Sequence, residues 1–353
     1  EEGEEDGEGG WEMEDLEIPA DVVAEAAAAS TSAGPYTVPT AGPPASQKWL
    51  DRRTQLAAEH AAAGSFQSAM SLLHRQLGAS SFEALRPYFL DLYAASHAVY
   101  AGVPGTPSTL THIDRSYNAE ASLQPPQSPS LLYTLPALEE ALKAGYKLVT
   151  EGKFGDALKA FTRMLHVIPL TVVDSRKEVD DVKELITICK EYHIALRCEL
   201  KRKELGEGDI SRSMELAAYF THCSLQPVHL ALSLRSAMSI FFKNKQLATC
   251  AHFCRRLLEL NPGAKIMEQA RQVLTACEKA PVDAHKINYD PRNPFDICSI
   301  TFTPVYKGSK YAEDPYTGAR FQTECEGQIS PLGEFVKIGA DASGLLISPT
   351  QVR

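Results

Sequence analysis

The chain has 353 residues, of which 44% are hydrophobic and 23% charged, a composition typical of a soluble globular protein with two or three domains. Its net charge of -10 arises in residues 1–25, which hold twelve acidic and no basic side chains, and the other 33 acidic and 35 basic groups nearly balance. This balance excludes the strong positive field of a nucleic-acid-binding protein, and no apolar run reaches the roughly 18 residues of a membrane span.

Residues 1–35 are acidic, then alanine-rich, then rich in Ser, Gly and Pro. Such a segment cannot bury enough apolar surface to offset its chain entropy, so we predict a disordered tail. Residues 36–49 read as an extended segment with candidate binding residues Tyr36, Val38, Pro39 and Trp49. A hairpin built from them is not stable alone in water, so we expect it to pack on the first helix or to insert into a partner.

Residues 50–290 show helical periodicity. The clearest pattern runs from Val179 to Leu200, and another apolar stripe covers residues 82–100. A proline-rich interval at 103–136 lacks this periodicity and is predicted to be a long loop, which is usually functional or disordered. It supplies a second set of candidate binding residues, Leu110, Ile113 and Tyr117.

The helical region contains a weak internal repeat. One spacing of a large, a small and a second large or medium residue recurs three times, at Phe66-Ala69-Leu73, Phe154-Ala157-Phe161 and Leu247-Cys250-Cys254. In the middle copy, Gly145, Ala157, Phe161 and Pro169 fit the skeleton of a tetratricopeptide (TPR) repeat. The copies are irregularly spaced, which predicts an irregular α-solenoid of TPR-like helical hairpins.

Residues 291–353 change in character. Ile300, Phe302 and Val305 lie in an extended stretch, and further short β-type runs follow at 319–321, 328–329, 335–338 and 345–347, separated by glycines. This pattern predicts a small antiparallel β module that rests on the helical body or on a partner.

No local signature of catalysis, cofactor binding or metal binding is found. Cys250 and Cys254 share one helix face at packing positions of the repeat, whereas His252 points away from them. Cys298 and Cys325 lack the paired CxxC knuckles of a zinc site. Eight cysteines without regular spacing suit buried thiols in the cytoplasm. The chain is therefore predicted to be a binding protein; the alternatives are a free TPR-like adaptor for peptide tails and, third, a thiol enzyme using Cys250 with His252.

Several stretches resemble a known family, the C-terminal domain of the alpha subunit of coatomer, which forms the COPI vesicle coat. The similar stretches are WEMEDLEIP (11–19), AGSFQSAMSLLH (63–74), LITICKEY (185–192), AAYFTHCSLQPVH (217–229), FCRRLLELN (253–261), YDPRNPFDIC (289–298) and residues 344–353. The sequence departs from some family members at Asp314, Arg320 and Ser330, where those members carry cysteines, so a metal site there is not expected.

The resemblance implies a structural coat protein rather than an enzyme, without cofactors. It implies binding to the coatomer epsilon subunit, a TPR protein that closes around a hairpin, which we place at 36–49 or, second, in the proline-rich loop. It further implies contacts with other coatomer subunits through an N-terminal part outside this sequence, and with vesicle tethering factors. The expected location is the cytoplasm, peripheral on Golgi membranes and COPI vesicles, in Golgi-to-ER and intra-Golgi transport.

Overall fold

The computed structural model describes residues 54–100, 109–112, 131–206 and 208–351. The helices are α1 (Ala57–Ala62), α2 (Phe66–Leu77), α3 (Arg86–Ala95), α4 (Leu135–Thr150), α5 (Phe154–Val167), α6 (Arg176–Leu205), α7 (Ile210–Phe220), α8 (Pro227–Lys243), α9 (Leu247–Glu259) and α10 (Ala264–Lys279). The strands are β1 (His97–Tyr100), β2 (Thr109–His112), β3 (Phe295–Ile297), β4 (Pro304–Tyr306), β5 (Ala312–Glu313) and β6 (Arg320–Phe321). All of them belong to one compact unit, Ala45–Arg353.

The turns of three helical hairpins have the same conformation. The second helix of each hairpin begins at the first residue of a predicted repeat copy, at Phe66, Phe154 and Leu247. Two residues earlier the backbone takes a left-handed conformation, with φ of +84° at Gly64, +76° at Gly152 and +57° at Lys245. In each turn the next residue donates its backbone N–H to the carbonyl five positions back, over 2.8 to 3.0 Å. The predicted repeat is therefore a repeat of structure as well as of spacing.

The middle hairpin is packed as the TPR skeleton predicts. Phe161 is fully buried and stacks on Tyr192, with ring centroids 4.9 Å apart. The tip of the ring lies against Gly145, where a Cβ atom would sit 3.2 Å from Phe161 Cζ, so glycine allows α4 and α5 to approach closely. Pro169 lies in a 3₁₀ turn directly after α5, because proline cannot continue the helix.

Helix α6 is the longest helix in the described part of the chain. Its thirty residues confirm the predicted long helix, and its start is fixed by a capping box between Ser175 and Glu178. The helix packs between α5 and α7 and buries most of the apolar stripe that begins at Val179. Within the described ranges, no helix combines the length and the apolar character needed to cross a membrane.

The β module consists of two short antiparallel pairs, β3 with β4 and β5 with β6. Its first strand begins at Phe295, earlier than the predicted extended stretch around Ile300, because residues 298–303 form a tight connection in which Phe302 N–H donates to the Cys298 carbonyl. Beyond β6 the chain returns to the first helices, where Ser80 and Ser81 donate to the Phe335 carbonyl. The module thus shares its core with the helical body, and the mainly helical fold class with a small β module is confirmed.

Candidate protein-binding site

Strands β1 and β2 form a separate hairpin. They pair antiparallel, with His97 opposite His112 and Tyr100 opposite Thr109. Within the described part of the chain no third strand joins them, so the outer backbone groups of both strands are not used in a larger sheet. A hairpin of two four-residue strands is marginally stable on its own, and open strand edges are templates for a partner. These properties mark the hairpin as a candidate binding element.

The base of the hairpin is formed by a series of aromatic and histidine rings in contact with one another. The rings of His97 and His112 lie 5.2 Å apart at its root, and the His97 ring lies 4.1 Å from that of Tyr93 at the end of α3. A hydrogen bond of 2.7 Å joins His97 Nδ1 to the Tyr93 carbonyl. Tyr93 in turn contacts Phe66, whose ring is stacked on Phe89. The root of the hairpin is thereby fixed to α2 and α3.

Gly64 allows the Tyr93 ring of this base to lie close to the turn between α1 and α2. A Cβ atom at this position would lie 2.9 Å from Cε2 of Tyr93, closer than side-chain atoms approach one another in folded proteins. Its φ of +84° is also a conformation that favours glycine. The turn between α1 and α2 therefore supports the hairpin through one aromatic ring.

The predicted binding residues are only partly within the described ranges. Leu110 lies on β2 opposite Val99. Tyr36, Val38, Pro39, Trp49, Ile113 and Tyr117 lie outside the described residues, as do the tail at 1–35 and the segment at 36–49.

Two boundaries differ from the sequence interpretation. The stripe at 82–100 is not one helix, because α3 ends at Ala95 and β1 follows from His97. The interval at 103–136 includes strand β2, and α4 begins at Leu135 with Pro136 in its first turn, where the missing N–H costs nothing. The alternation of Thr109, Leu110 and Thr111 was the one local signal for a strand here.

The thiols are placed in the core. All eight cysteines are free and buried, and burial raises the pKa of the Cys198 thiol to about 12. Cys250 donates a hydrogen bond of 3.5 Å to the backbone carbonyl of Met238 on α8, so its sulfur serves the packing of the third hairpin. The sulfur atoms of Cys298 and Cys325 are 3.9 Å apart. Among the described residues, no cluster of three or more His, Cys, Asp or Glu could hold a metal ion.

The three positions at which the sequence departs from some members of the family it resembles form ordinary polar contacts. Asp314 is buried and accepts hydrogen bonds from Ser330 Oγ at 2.6 Å and from the backbone N–H of Tyr316 at 2.9 Å. Arg320 pairs with Asp296 at 2.6 Å on the surface. These carboxylates are satisfied by hydrogen bonds and an ion pair within the β module.

Comparisons with known proteins agree on one family. The family model for the C-terminus of the coatomer (COPI) alpha subunit matches residues 1–353. The chain is 48% identical to coatomer subunit alpha-3 of Oryza sativa subsp. japonica over 351 residues, 99% of the chain and 29% of that protein. It is 47% identical to coatomer subunit alpha-1 of Arabidopsis thaliana over 350 residues (99% and 29%), and 40% identical to coatomer subunit alpha of Dictyostelium discoideum over 324 residues (90% and 26%). The chain thus spans less than a third of the length of these relatives.

Proposed function

The chain belongs to the family formed by the C-terminal regions of coatomer alpha subunits, and we propose on that premise that it is a structural, non-enzymatic part of the COPI vesicle coat whose β1–β2 hairpin holds the coatomer epsilon subunit. The remainder of the proposal follows from the family. Other coatomer subunits are contacted through the N-terminal part of the longer protein, tethering factors are further partners, and the assembly acts on the cytoplasmic face of Golgi membranes.

The observation that carries the assignment to the hairpin is its open-edged pairing on a fixed root. Two paired strands are only about 5 Å apart and four residues extend about 13 Å, which makes a narrow, elongated element. A TPR protein is a helical solenoid with an extended concave surface, and such a surface suits an element of this shape. The aromatic base from Phe66 to His112 keeps the element in one orientation, which reduces the entropy lost on binding.

This placement differs from our first expectation, the segment at 36–49. The second expectation, the proline-rich interval, includes β2 and Leu110. The hairpin is supported by a described strand pairing, whereas the segment at 36–49 is supported by its sequence pattern alone.

Excision of the hairpin tests the proposal. His97 and His112 face each other in the register, so residues 98–111 can be replaced by Asn-Gly, a dipeptide that joins two antiparallel strands in a tight turn. We expect the variant to keep its helical circular dichroism and to lose affinity for the purified epsilon subunit by at least about 100-fold in calorimetry.

Point variants separate the two candidate segments. Leu110→Asp should weaken epsilon binding, whereas Leu132→Asp, which changes a leucine that is 46% exposed outside the hairpin, should not. Trp49→Ala and Val38→Asp test the earlier segment. Full affinity of the excision variant, together with loss of binding in the Trp49 and Val38 variants, would move the site to residues 36–49.

A further inference from the structure

The solvent-facing side of α8 carries an apolar stripe. Val228, Leu232 and Phe242 are 62%, 43% and 42% exposed, and no other helix in the described ranges has more than one large hydrophobic residue as exposed. At 100° per residue the three side chains fall within an arc of about 80°, and the stripe is about 21 Å long at 1.5 Å per residue. Val228 and Leu232 lie one turn apart, and Phe242 follows about 15 Å further along the same face, so exposed apolar side chains lie near both ends of α8.

The same surface is positively charged. The sequence contains no Asp or Glu between Glu215 and Glu259, although acidic residues outnumber basic ones in the chain as a whole. Arg235 and Lys243 lie on the exposed side of α8 and Lys245 follows it. In the described part of the chain these three side chains form no ion pair, so their charges are available to a partner.

Lys245 occupies a position that favours glycine. The equivalent turns of the first two hairpins have Gly64 and Gly152, whereas the third holds a lysine at φ +57°. A lysine in this conformation is strained, and a strained residue next to an exposed surface is a reason to look for a function of its side chain. The lysine at this strained position places a positive charge three residues after Phe242.

Helix α8 is held rigidly beneath this surface. Its His229 lies 2.7 Å from the Tyr192 hydroxyl through Nδ1 and 2.9 Å from Thr150 Oγ1 through Nε2. Because Thr150 already donates to the Tyr146 carbonyl, and the Tyr192 hydroxyl already accepts from the backbone N–H of Gln226, the network assigns a neutral His229 with its proton on Nε2. The exposed side of α8 is therefore held in one conformation before a partner binds, which reduces the entropy lost on binding.

We propose that the surface formed by Val228, Leu232, Arg235, Phe242, Lys243 and Lys245 docks an acidic amphipathic helix of a partner protein. The apolar face of such a helix would cover the stripe over about four turns, and its acidic flanks would pair with the three basic groups.

A membrane surface fits this geometry less well. A helix that lies in a membrane interface needs a broad apolar face, whereas Ser236 and Ser239 interrupt the stripe on α8. The inner sides of α8 are packed against α7 and α9, so the helix cannot sink to the depth of the acyl chains.

The test uses a defined probe, a fluorescein-labelled 18-residue peptide of glutamate and alanine with leucine at helical spacing. Anisotropy titration of the purified chain at about 50 mM NaCl should show saturable binding that weakens steeply at about 500 mM. Val228→Ser should weaken binding at least about fivefold, whereas the control Leu90→Ser, which removes a leucine that is 48% exposed on α3, should leave it unchanged.

Lys245→Gly separates loss of the site from loss of the fold. It should weaken peptide binding about threefold at low salt while raising Tm by about 2 °C, because the charge and the strain are removed together. Absence of peptide binding, or equal weakening by Val228→Ser and Leu90→Ser, would overturn the proposal. Binding to vesicles containing phosphatidylserine that depends on Val228, with no binding of the peptide, would also overturn it and indicate a lipid surface instead.

Discussion

Replacing Gly64 with alanine adds one methyl group at the point where the α1–α2 turn meets the base of the hairpin. The chain offers a matched control, because Gly152 occupies the same place in the α4–α5 turn with a similar φ of +76°. Apart from Gly152 and its two chain neighbours, no atom of the described residues lies within 4 Å of a Cβ at Gly152, whereas at Gly64 the new methyl would be 2.9 Å from Tyr93. The two variants therefore share the backbone strain and differ in the contact with the ring.

The magnitudes follow from these two contributions. Alanine in the left-handed conformation costs about 1–2 kcal/mol, and the lower entropy of the unfolded chain with alanine offsets about 0.4–1 kcal/mol of this. Gly152→Ala should thus lower the free energy of unfolding by about 1 kcal/mol. At Gly64 the displaced Tyr93 ring adds an overpacking cost of about 1–3 kcal/mol, so Gly64→Ala should lower the free energy of unfolding by about 3 kcal/mol.

Urea denaturation followed by circular dichroism measures both costs, and adding Tyr93→Leu to Gly64→Ala should recover part of the difference between them. Because Tyr93 supports His97, Gly64→Ala should also weaken epsilon binding, whereas Gly152→Ala should not. Equal destabilisation by the two variants would refute the role of Tyr93, and no destabilisation by either would refute the assignment of the turns.

Three further predictions concern the body of the fold. Asp283 accepts hydrogen bonds from the backbone N–H groups of Ala248 and Thr249 at the start of α9. Asp283→Ala should therefore lower the free energy of unfolding by about 1 kcal/mol in urea titrations, and Asp283→Asn should lower it less. Equal costs of the two variants would contradict the capping role. Burial lowers the pKa of His193 to about 3, and burial together with Arg256 lowers the pKa of His222 to about 3. Because both rings take up protons more readily in the unfolded chain, Tm should fall progressively as the pH drops from about 6.5 towards 3. A constant Tm across that window would contradict this prediction. The eight buried thiols should react with Ellman's reagent only on unfolding, and a fast-reacting cysteine in the native chain would reopen the thiol-enzyme alternative.

The sequence was most informative where structure is determined locally. The starts of α2, α5 and α9 follow from a short turn signal and an apolar spacing that lie within about ten residues of each other. The end of α3 could not be predicted in the same way. The apolar periodicity through Phe89 and Leu92 has no Gly or Pro stop before Ser96, and β1 exists because Thr109–His112, well separated along the chain, pairs with it.

The candidate surfaces depend on contacts that no local pattern reveals. The base of the hairpin joins Phe66 to His112 through Tyr93 and His97, so that it includes four residues on four different elements. On α8, Val228 and Leu232 read in the sequence like core residues, and only the packing of neighbouring helices shows that they face solvent. Exposure is a tertiary property, so a helical stripe alone does not distinguish a core face from a docking face.

The return of the C-terminal residues to the first helices has a consequence for synthesis on the ribosome. The Phe335 carbonyl that accepts from Ser80 is translated about 255 residues later, a delay of roughly 10–50 s at about 5–20 residues per second. During that time α2 lacks part of its final packing. We therefore expect nascent chains that stop short of residue 335 to remain bound by chaperones, and release to coincide with completion of the chain.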